Sequence, residues 1–200
     1  MKSTLYIGGV FMLAMVWLTG PALGFSRNMQ TLGGTSQPIG HYNFCKLYPS
    51  ECNYRTPDSA PMKLNKAAWN RMVSINAKVN RDIIPMTDQD VFGVEEFWAY
   101  PKAVGDCEDY VLLKQKLLMQ MGFRASDLLI TIVRQTDGSG HAVLTVRTDH
   151  GDFILDNMHD EVLLWSQTDY TFLKRQSSVN TGRWTKLQDS RATFVGSIRK

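Results

Sequence analysis

The sequence has little of what several protein classes require. Its 200 residues carry a formal net charge of only +3, which is too small for a protein that binds nucleic acid by neutralising phosphates. Its cysteines and histidines show none of the C-x-x-C or H-x-x-x-H spacings that would support a zinc site. There is no internal repeat and no linker, and a chain of this length can bury about 70% of its unfolded surface without a metal or disulfide framework. We therefore expect a single globular domain without nucleic acid as a partner.

The longest apolar run is also short. It extends from Leu5 to Leu18 and so has 14 residues, fewer than the about 20 that span a bilayer. A Gly-Pro break follows, and small residues occupy the −3 and −1 positions before Phe25. This layout is typical of a secretory signal peptide at residues 1–24, which leaves a mature domain at 25–200 without a membrane insertion. An uncleaved membrane anchor is the alternative.

The cysteine count is low and odd, with three in the chain. Export places the protein in an oxidising compartment, where Cys45 and Cys52 can close a small disulfide loop. The alternative is that both are buried thiols that act as small apolar side chains. Neither interpretation gives Cys107 a structural partner, so this cysteine requires a separate explanation.

Hydrophobic periodicity predicts helices in the first half of the mature chain. Residues 25–44 are rich in small and polar residues and predict a loose arm. Apolar residues at helical spacing follow Pro61 and end at Pro85, and residues 86–105 form an aromatic-rich ordered loop. The most strongly predicted element is a helix over 107–121, with acidic residues in its first turn and a glycine after its end.

Alternating apolar residues predict strands in the second half. Segments 128–134, 141–147 and 152–156 are separated by turn residues and predict an antiparallel meander. The tail after residue 160 predicts one or two edge strands. Helices followed by antiparallel strands indicate an α+β fold.

Three residues in this pattern can form a catalytic triad. Cys107 lies in the first turn of the helix, where free N–H groups and the helix dipole favour a thiolate. Asp106 and Glu108 oppose this, because neighbouring negative charge raises the pKa of a thiol. His141 begins one strand and Asp156 ends the next, so an acid can orient an imidazole toward the sulfur. Taken singly, a cysteine at a helix start and an isolated histidine are more often structural.

The other histidines and acids fit this chemistry less well. His150 lies in a tight turn, His159 in a polar loop and His41 in the predicted arm. Asp149 and Asp152 are the rival acids, and we interpret both as turn residues.

The residues around these three positions resemble a known family. The string GDCEDY at 105–110, followed by an apolar helix, is similar to the nucleophile motif of bacterial transglutaminase-like cysteine proteinases. FWAYP at 97–101, GHAVL at 140–144 and LDN at 155–157 match that family in the same order. The resemblance covers about residues 42–175. It implies a papain-like or transglutaminase-like core, in which N-terminal helices, one bearing the nucleophile, pack on an antiparallel sheet.

Within that family the chain resembles the LapG-type periplasmic proteases, and this resemblance implies a function. Such enzymes cleave the N-terminal region of a large cell-surface adhesin, typically at a dialanine site, and so release cells from biofilms. An inner-membrane receptor for cyclic di-GMP sequesters and inhibits them. By this analogy Cys107 is the nucleophile, His141 the general base and acid, and Asp156 the orienting group of a periplasmic endopeptidase.

The resemblance also implies a calcium ion beside the nucleophile. Asp106, Glu108 and Asp109 are the expected ligands, since carboxylate oxygens are hard donors that suit calcium. A divalent ion would offset the charge that these residues place beside the sulfur. The alternative is that the three carboxylates only cap the helix.

Two other function classes remain open. One is an acyl-transfer enzyme with the same triad, either a transglutaminase or a peptidoglycan amidase; the other is an inactive calcium-dependent binding module. In an active enzyme, the backbone N–H of Cys107 supplies one donor of an oxyanion hole. Trp98 and Asn76 are candidates for the second donor.

Overall fold

The computed structural model describes residues 26–57 and 60–191. The signal peptide predicted at residues 1–24 lies outside the described residues. Within the described ranges, none of the helices combines the length and the apolar character needed to cross a bilayer.

The fold combines four α-helices with two sheets in the described part of the chain. The helices are α1 (Ile39–Leu47), α2 (Lys66–Asp82), α3 (Asp88–Phe92) and α4 (Cys107–Gln120). The strands are β1 (Gln30–Thr35), β2 (Ile84–Pro85), β3 (Val104–Gly105), β4 (Leu128–Arg134), β5 (Gly140–Thr148), β6 (Gly151–Leu155), β7 (Leu163–Leu164), β8 (Thr171–Ser177) and β9 (Asn180–Gln188). Short 3₁₀ turns cover Pro49–Cys52, Ala125–Asp127 and Trp165–Gln167.

Seven strands form one antiparallel sheet in the order β1-β9-β8-β4-β5-β6-β7, and β2 and β3 form a short parallel pair. Both faces of the large sheet are covered. Side chains of α2 and α4 bury one face against β4, β5 and β6 in the main core. A smaller cluster of apolar residues covers the other face. This confirms the expected α+β architecture.

The helix that bears the candidate nucleophile is confirmed. It was predicted over 107–121 and is observed as α4, with Gly122 in the left-handed conformation after its end (φ 90°). The predicted meander corresponds to β4, β5 and β6. Asn65 caps the start of helix α2, since its side chain accepts the Ala68 N–H at 2.9 Å, and α2 packs its apolar stripe on α4.

The prediction of edge strands after residue 160 is confirmed for β7, which lies at one edge of the large sheet, but it is wrong for β8 and β9. Strand β8 pairs with β4, and β9 lies between β8 and β1, so both are interior strands. The polar composition of this segment concealed its place in the sheet, because alternation reports how a strand is buried but not which strands pair with it.

The loose arm predicted at residues 25–44 is also wrong where the structure describes it. It forms β1 and the start of α1. Tertiary partners order it, since β1 pairs with β9 and a Cys45–Cys52 disulfide ties α1 to the turn that follows. His41 of α1 is buried between Trp98 and Trp184, with ring centroids 5.4 and 5.3 Å away.

Candidate active site

The strand register brings the predicted histidine and acid together. Leu144 of β5 is opposite Leu155 of β6, so the start of β5 lies beside the residue that follows β6. His141 Nε2 is 2.8 Å from Asp156 Oδ1, and both side chains are buried. This contact leaves Nδ1 as the imidazole nitrogen available to another group.

Besides its contact with His141, Asp156 accepts two further hydrogen bonds. The Met158 N–H donates to Oδ1 at 3.0 Å, and the Tyr170 hydroxyl donates to Oδ2 at 2.5 Å. Burial acts to raise the pKa of Asp156, but the hydrogen bond and charge of His141, with the other donors, hold it below its ordinary value. Asp156 is therefore a buried, ionised acid that fixes the histidine ring.

Sequence reasoning missed Tyr170. Its hydroxyl contacts Asp156, and its ring centroid lies 5.6 Å from that of His141. Burial raises the pKa of Tyr170 above its ordinary value, so the hydroxyl remains a donor at neutral pH. A tyrosine 14 residues after the acid carried no signal by spacing alone.

The third predicted residue shares a pocket with the histidine. Cys107 and His141 line a cavity of about 360 Å³ between the start of α4 and the start of β5. Residues at the start of α1 form part of the wall, so the segment predicted to be a loose arm contributes to the site. The lining residues are Pro38, Ile39, Glu96, Trp98, Cys107, Glu108, Ile132, Gly140, His141, Ala142 and Lys174.

The cysteine thiol is in an electrostatically unfavourable position for ionisation. Burial raises the pKa of Cys107 well above its ordinary value, and the Glu108 carboxylate raises it further. The thiol donates to Glu108 Oε2 at 3.3 Å. The backbone N–H of Ala142, next to the histidine, acts in the opposite direction.

Three carboxylates gather beside this cysteine. Oxygen atoms of Asp88, Asp106 and Glu108 all lie within 4.8 Å of one another. The Asp88 N–H also donates to Asp106 Oδ2 at 3.3 Å. Burial raises the pKa of Glu108 to about 10, and a hydrogen bond with Asp106 and its charge contribute to the increase.

This cluster fits a divalent cation. Asp106 Oδ1 is buried and has no hydrogen-bond partner among the described residues. An unpartnered buried acceptor and adjacent carboxylates are costly without a positive charge. Oxygen-only donors of this kind suit calcium.

The carboxylate cluster differs from the predicted ligand set by one residue. Asp106 and Glu108 are in the cluster and Asp109 is not, while Asp109 Oδ1 accepts the Ala99 N–H at 2.8 Å. The role of Asp109 as a ligand stays a prediction. Its carboxylate packs against Gly105, where a Cβ atom would come within 2.6 Å of Asp109 Oδ2. Asp88 of α3 is the third carboxylate of the cluster, and its distance along the sequence from Cys107 gave no signal of this position.

The rival groups have other partners. Asp152 forms a buried ion pair with Arg175 at 2.8 Å, and Asp149 contacts His150 at 2.7 Å. Burial lowers the pKa of His41 to about 4, and the two sulfurs beside it belong to the disulfide. None of these groups lines the Cys107 pocket.

The two candidates for a second oxyanion donor differ in position. Asn76 is fully buried, and its Nδ2 donates to the carbonyl oxygens of His159 and Asp160 at 3.0 and 3.1 Å. It therefore holds a loop and does not line the pocket. Trp98 lines the pocket, and its Nε1 donates to Glu96 Oε1 at 2.7 Å.

Comparison with known proteins agrees with this arrangement. The family model described as bacterial transglutaminase-like cysteine proteinase BTLCP matches residues 31–192. A structure of Legionella pneumophila LapG is 24% identical with a TM-score of 0.51, covering 66% of this chain and 74% of that one.

Its calcium-bound form is 20% identical with a TM-score of 0.51, covering 78% of this chain and 86% of that one. An EGTA-treated form is 22% identical with the same TM-score, covering 65% and 75% respectively. These likenesses establish a shared fold. No curated protein matches the chain.

Proposed function

The chain belongs to the bacterial transglutaminase-like cysteine proteinase family, and from this premise we propose that it is a calcium-dependent endopeptidase of the bacterial periplasm. Its proposed substrate is the N-terminal region of a large cell-surface adhesin, cut at a dialanine site, so that biofilm cells are released. An inner-membrane receptor for cyclic di-GMP is the proposed inhibitor. The observation that carries the proposal is the pocket in which Cys107 lies beside the hydrogen-bonded pair of His141 and Asp156.

The proposed reaction begins with acylation of the cysteine. His141 Nδ1 accepts the thiol proton while Nε2 remains bonded to Asp156. The Cys107 sulfur attacks the scissile carbonyl carbon to form a tetrahedral intermediate. The backbone N–H of Cys107 at the start of α4 donates to the developing oxyanion. His141 then protonates the leaving amine, and the C–N bond breaks.

Deacylation uses the same residues. His141 accepts a proton from a water molecule, which attacks the thioester carbonyl. The carbon–sulfur bond breaks, the acid product leaves, and the proton returns to the Cys107 sulfur. Asp156 stays ionised through both stages and stabilises the imidazolium form of the histidine.

Asp88, Asp106 and Glu108 are the proposed calcium ligands. A bound divalent ion would supply positive charge that offsets their carboxylates beside the thiol. The unpartnered Asp106 oxygen supports this assignment. So does the existence of calcium-bound and EGTA-treated forms of the structurally similar LapG.

The apolar part of the pocket wall is compatible with a substrate that has small side chains at the cleaved bond. Its volume is about 360 Å³, and Pro38, Ile39 and Trp98 form apolar walls around the cysteine. Alanine methyl groups need little space and no polar partner, so a dialanine segment suits such a site.

The decisive test is cleavage of a purified N-terminal adhesin segment from the same genome. Wild-type protein with calcium, the Cys107→Ala variant, and wild-type protein treated with EGTA are run together. We expect a single cut with wild type and none with the other two samples. An uncut segment in the presence of active, calcium-loaded wild type would refute the adhesin substrate. Cutting by Cys107→Ala would refute the nucleophile.

A second arm tests control by the receptor. The purified periplasmic domain of a neighbouring membrane receptor with cyclic di-GMP domains is added to the cleavage reaction. Stoichiometric inhibition is expected. Undiminished cleavage with excess receptor domain would refute this partner.

A further inference from the structure

Part of the Cys107 pocket is lined by a row of residues that face one another across three strands of the large sheet. Ala142 of β5 is opposite Ile132 of β4, and Ile132 is also opposite Lys174 of β8. All three residues line the pocket. Directly opposed residues of an antiparallel pair have their side chains on the same face of the sheet. The strand register therefore extends the pocket along a line that ends at a lysine.

The length of this row can be compared with that of a bound peptide. Ala142 directly follows His141, and both line the pocket with Cys107, so this end of the row lies at the proposed catalytic residues. Neighbouring strands are about 4.8 Å apart, which places the backbone of Lys174 about 10 Å from that of Ala142. An extended peptide rises about 3.4 Å per residue, so this separation corresponds to about three substrate residues.

The ammonium group of Lys174 is held in place and has no acidic partner. Its Nζ atom donates to the Ser36 carbonyl at 3.0 Å and lies 6.0 Å from the centroid of the Trp184 ring. No carboxylate forms an ion pair with it in the part of the chain that the structure describes. Glu96, an acid in the same pocket, accepts instead from the Trp98 indole at 2.7 Å. Since an ammonium group carries three N–H donors, two of those on Lys174 remain for a ligand.

We propose that Lys174 is a specificity-determining residue, which binds an acidic side chain of the substrate about three residues from the cleaved bond. The inference rests on the proposed endopeptidase function and adds a charged subsite to it. Ala142 and Ile132 offer only apolar side chains to the part of the substrate nearest the cysteine, and Lys174 offers a cation where the row ends. A carboxylate accepts charge-assisted hydrogen bonds from an ammonium group, and these are stronger than neutral ones.

The test is a scan of peptide substrates that share a dialanine core. Aspartate and asparagine are compared at each position up to about four residues from the core on either side, a span that exceeds the length of the row. Asparagine keeps the shape of the side chain and removes its charge. With calcium present, we expect wild type to prefer aspartate about tenfold in kcat/KM at one position about three residues from the cut. Lys174→Met should abolish this preference, and added salt should weaken it in wild type.

Three further variants separate charge from packing. Lys174→Arg should keep the preference for aspartate, and Lys174→Glu should replace it with a preference for lysine at the same position. Lys186→Met removes an exposed charge directly opposite Lys174 on β9, outside the pocket, and should keep the preference. A purely structural role through Ser36 would slow cleavage of both peptides equally in Lys174→Met. A preference that survives in that variant would therefore overturn the proposal.

Peptide affinity separates this proposal from the proposed function. Binding of the aspartate and asparagine peptides is measured with Cys107→Ala, alone and combined with Lys174→Met. A preference for aspartate that requires Lys174, in a protein whose wild type cuts neither peptide, would support the subsite and refute only the endopeptidase function with its dialanine site. Equal cleavage and equal affinity of the two peptides at every position would overturn the role of Lys174, whether or not the dialanine bond is cut.

Discussion

Replacing Tyr170 by phenylalanine isolates one hydrogen bond to the proposed catalytic acid. The change removes the hydroxyl that donates to Asp156 Oδ2 at 2.5 Å and keeps the ring beside His141. No other described residue donates a side-chain or backbone hydrogen bond to Oδ2. The variant therefore tests how strongly this donor stabilises the ionised carboxylate.

The size of the effect follows from the charge of the acceptor. A hydrogen bond to a charged group contributes about 1.5–3 kcal/mol. At 1.36 kcal/mol per pKa unit, the pKa of Asp156 should rise by about 1 to 2 units in Tyr170→Phe. At pH 7 the free energy of unfolding should fall by about 2 kcal/mol, which corresponds to about 4–8 °C in Tm for a domain of this size.

The dependence on pH has a definite sign. The pKa of folded Asp156 lies below its ordinary value, so its contribution to stability is present above the ordinary pKa. That contribution is lost as the pH falls through the folded pKa. The difference in unfolding free energy between wild type and Tyr170→Phe should therefore be full at pH 7 and shrink in acid.

The assay is thermal unfolding of both proteins between about pH 3 and pH 7, a range that includes the ordinary pKa of aspartate. Tyr42→Phe, at a side chain that is 47% exposed, serves as the control and should behave as wild type. A loss of stability in Tyr170→Phe that is equal at every pH would refute the reasoning, because it would indicate lost packing and not a lost partner of a carboxylate. An acidic limb of kcat/KM that does not move would refute the link to catalysis.

Two further predictions concern the pocket wall and the carboxylate cluster. Asp88→Asn should weaken calcium binding at least about tenfold by titration calorimetry, whereas Asp90→Asn on the same short helix should bind as wild type; equal affinities would remove Asp88 from the ligand set. Gly40→Ala should lower the free energy of unfolding by about 1–3 kcal/mol, because its Cβ would come within 2.3 Å of the Trp98 ring. A Cβ added at Gly34 would have no atom within 4 Å, so Gly34→Ala is the control. Equal Tm values for the two variants would show that α1 does not pack as described.

Local pattern was sufficient for the elements that carry the proposed triad. The apolar stripe and acidic first turn of α4 placed Cys107 at a helix start, and alternation placed His141 and Asp156 at the ends of adjacent strands. A turn between neighbouring antiparallel strands leaves few possible registers, so their side chains could be paired from sequence. The structure contains that pair at 2.8 Å.

Local pattern was not sufficient where order depends on distant partners. The segment that includes β1 and α1 has weak periodicity, and it is ordered by pairing with β9, by the disulfide and by burial of His41 against two tryptophans. Composition predicted edge strands in the C-terminal segment, and β7 does lie at an edge, but β8 pairs with β4 in the interior of the sheet. Strand order is a property of the whole sheet and is not encoded in any one strand.

The sequence by itself determined the proposed nucleophile, the histidine and acid proposed to act with it, and the gathering of carboxylates around one sulfur, because these features are local or lie on adjacent strands. Only the tertiary structure decided that Asp88 lies beside Asp106 and Glu108, and that the Tyr170 hydroxyl donates to Asp156. The physical reason is that buried charges are stabilised by whatever groups the fold brings within a few ångströms. Those groups come from elements far apart along the chain.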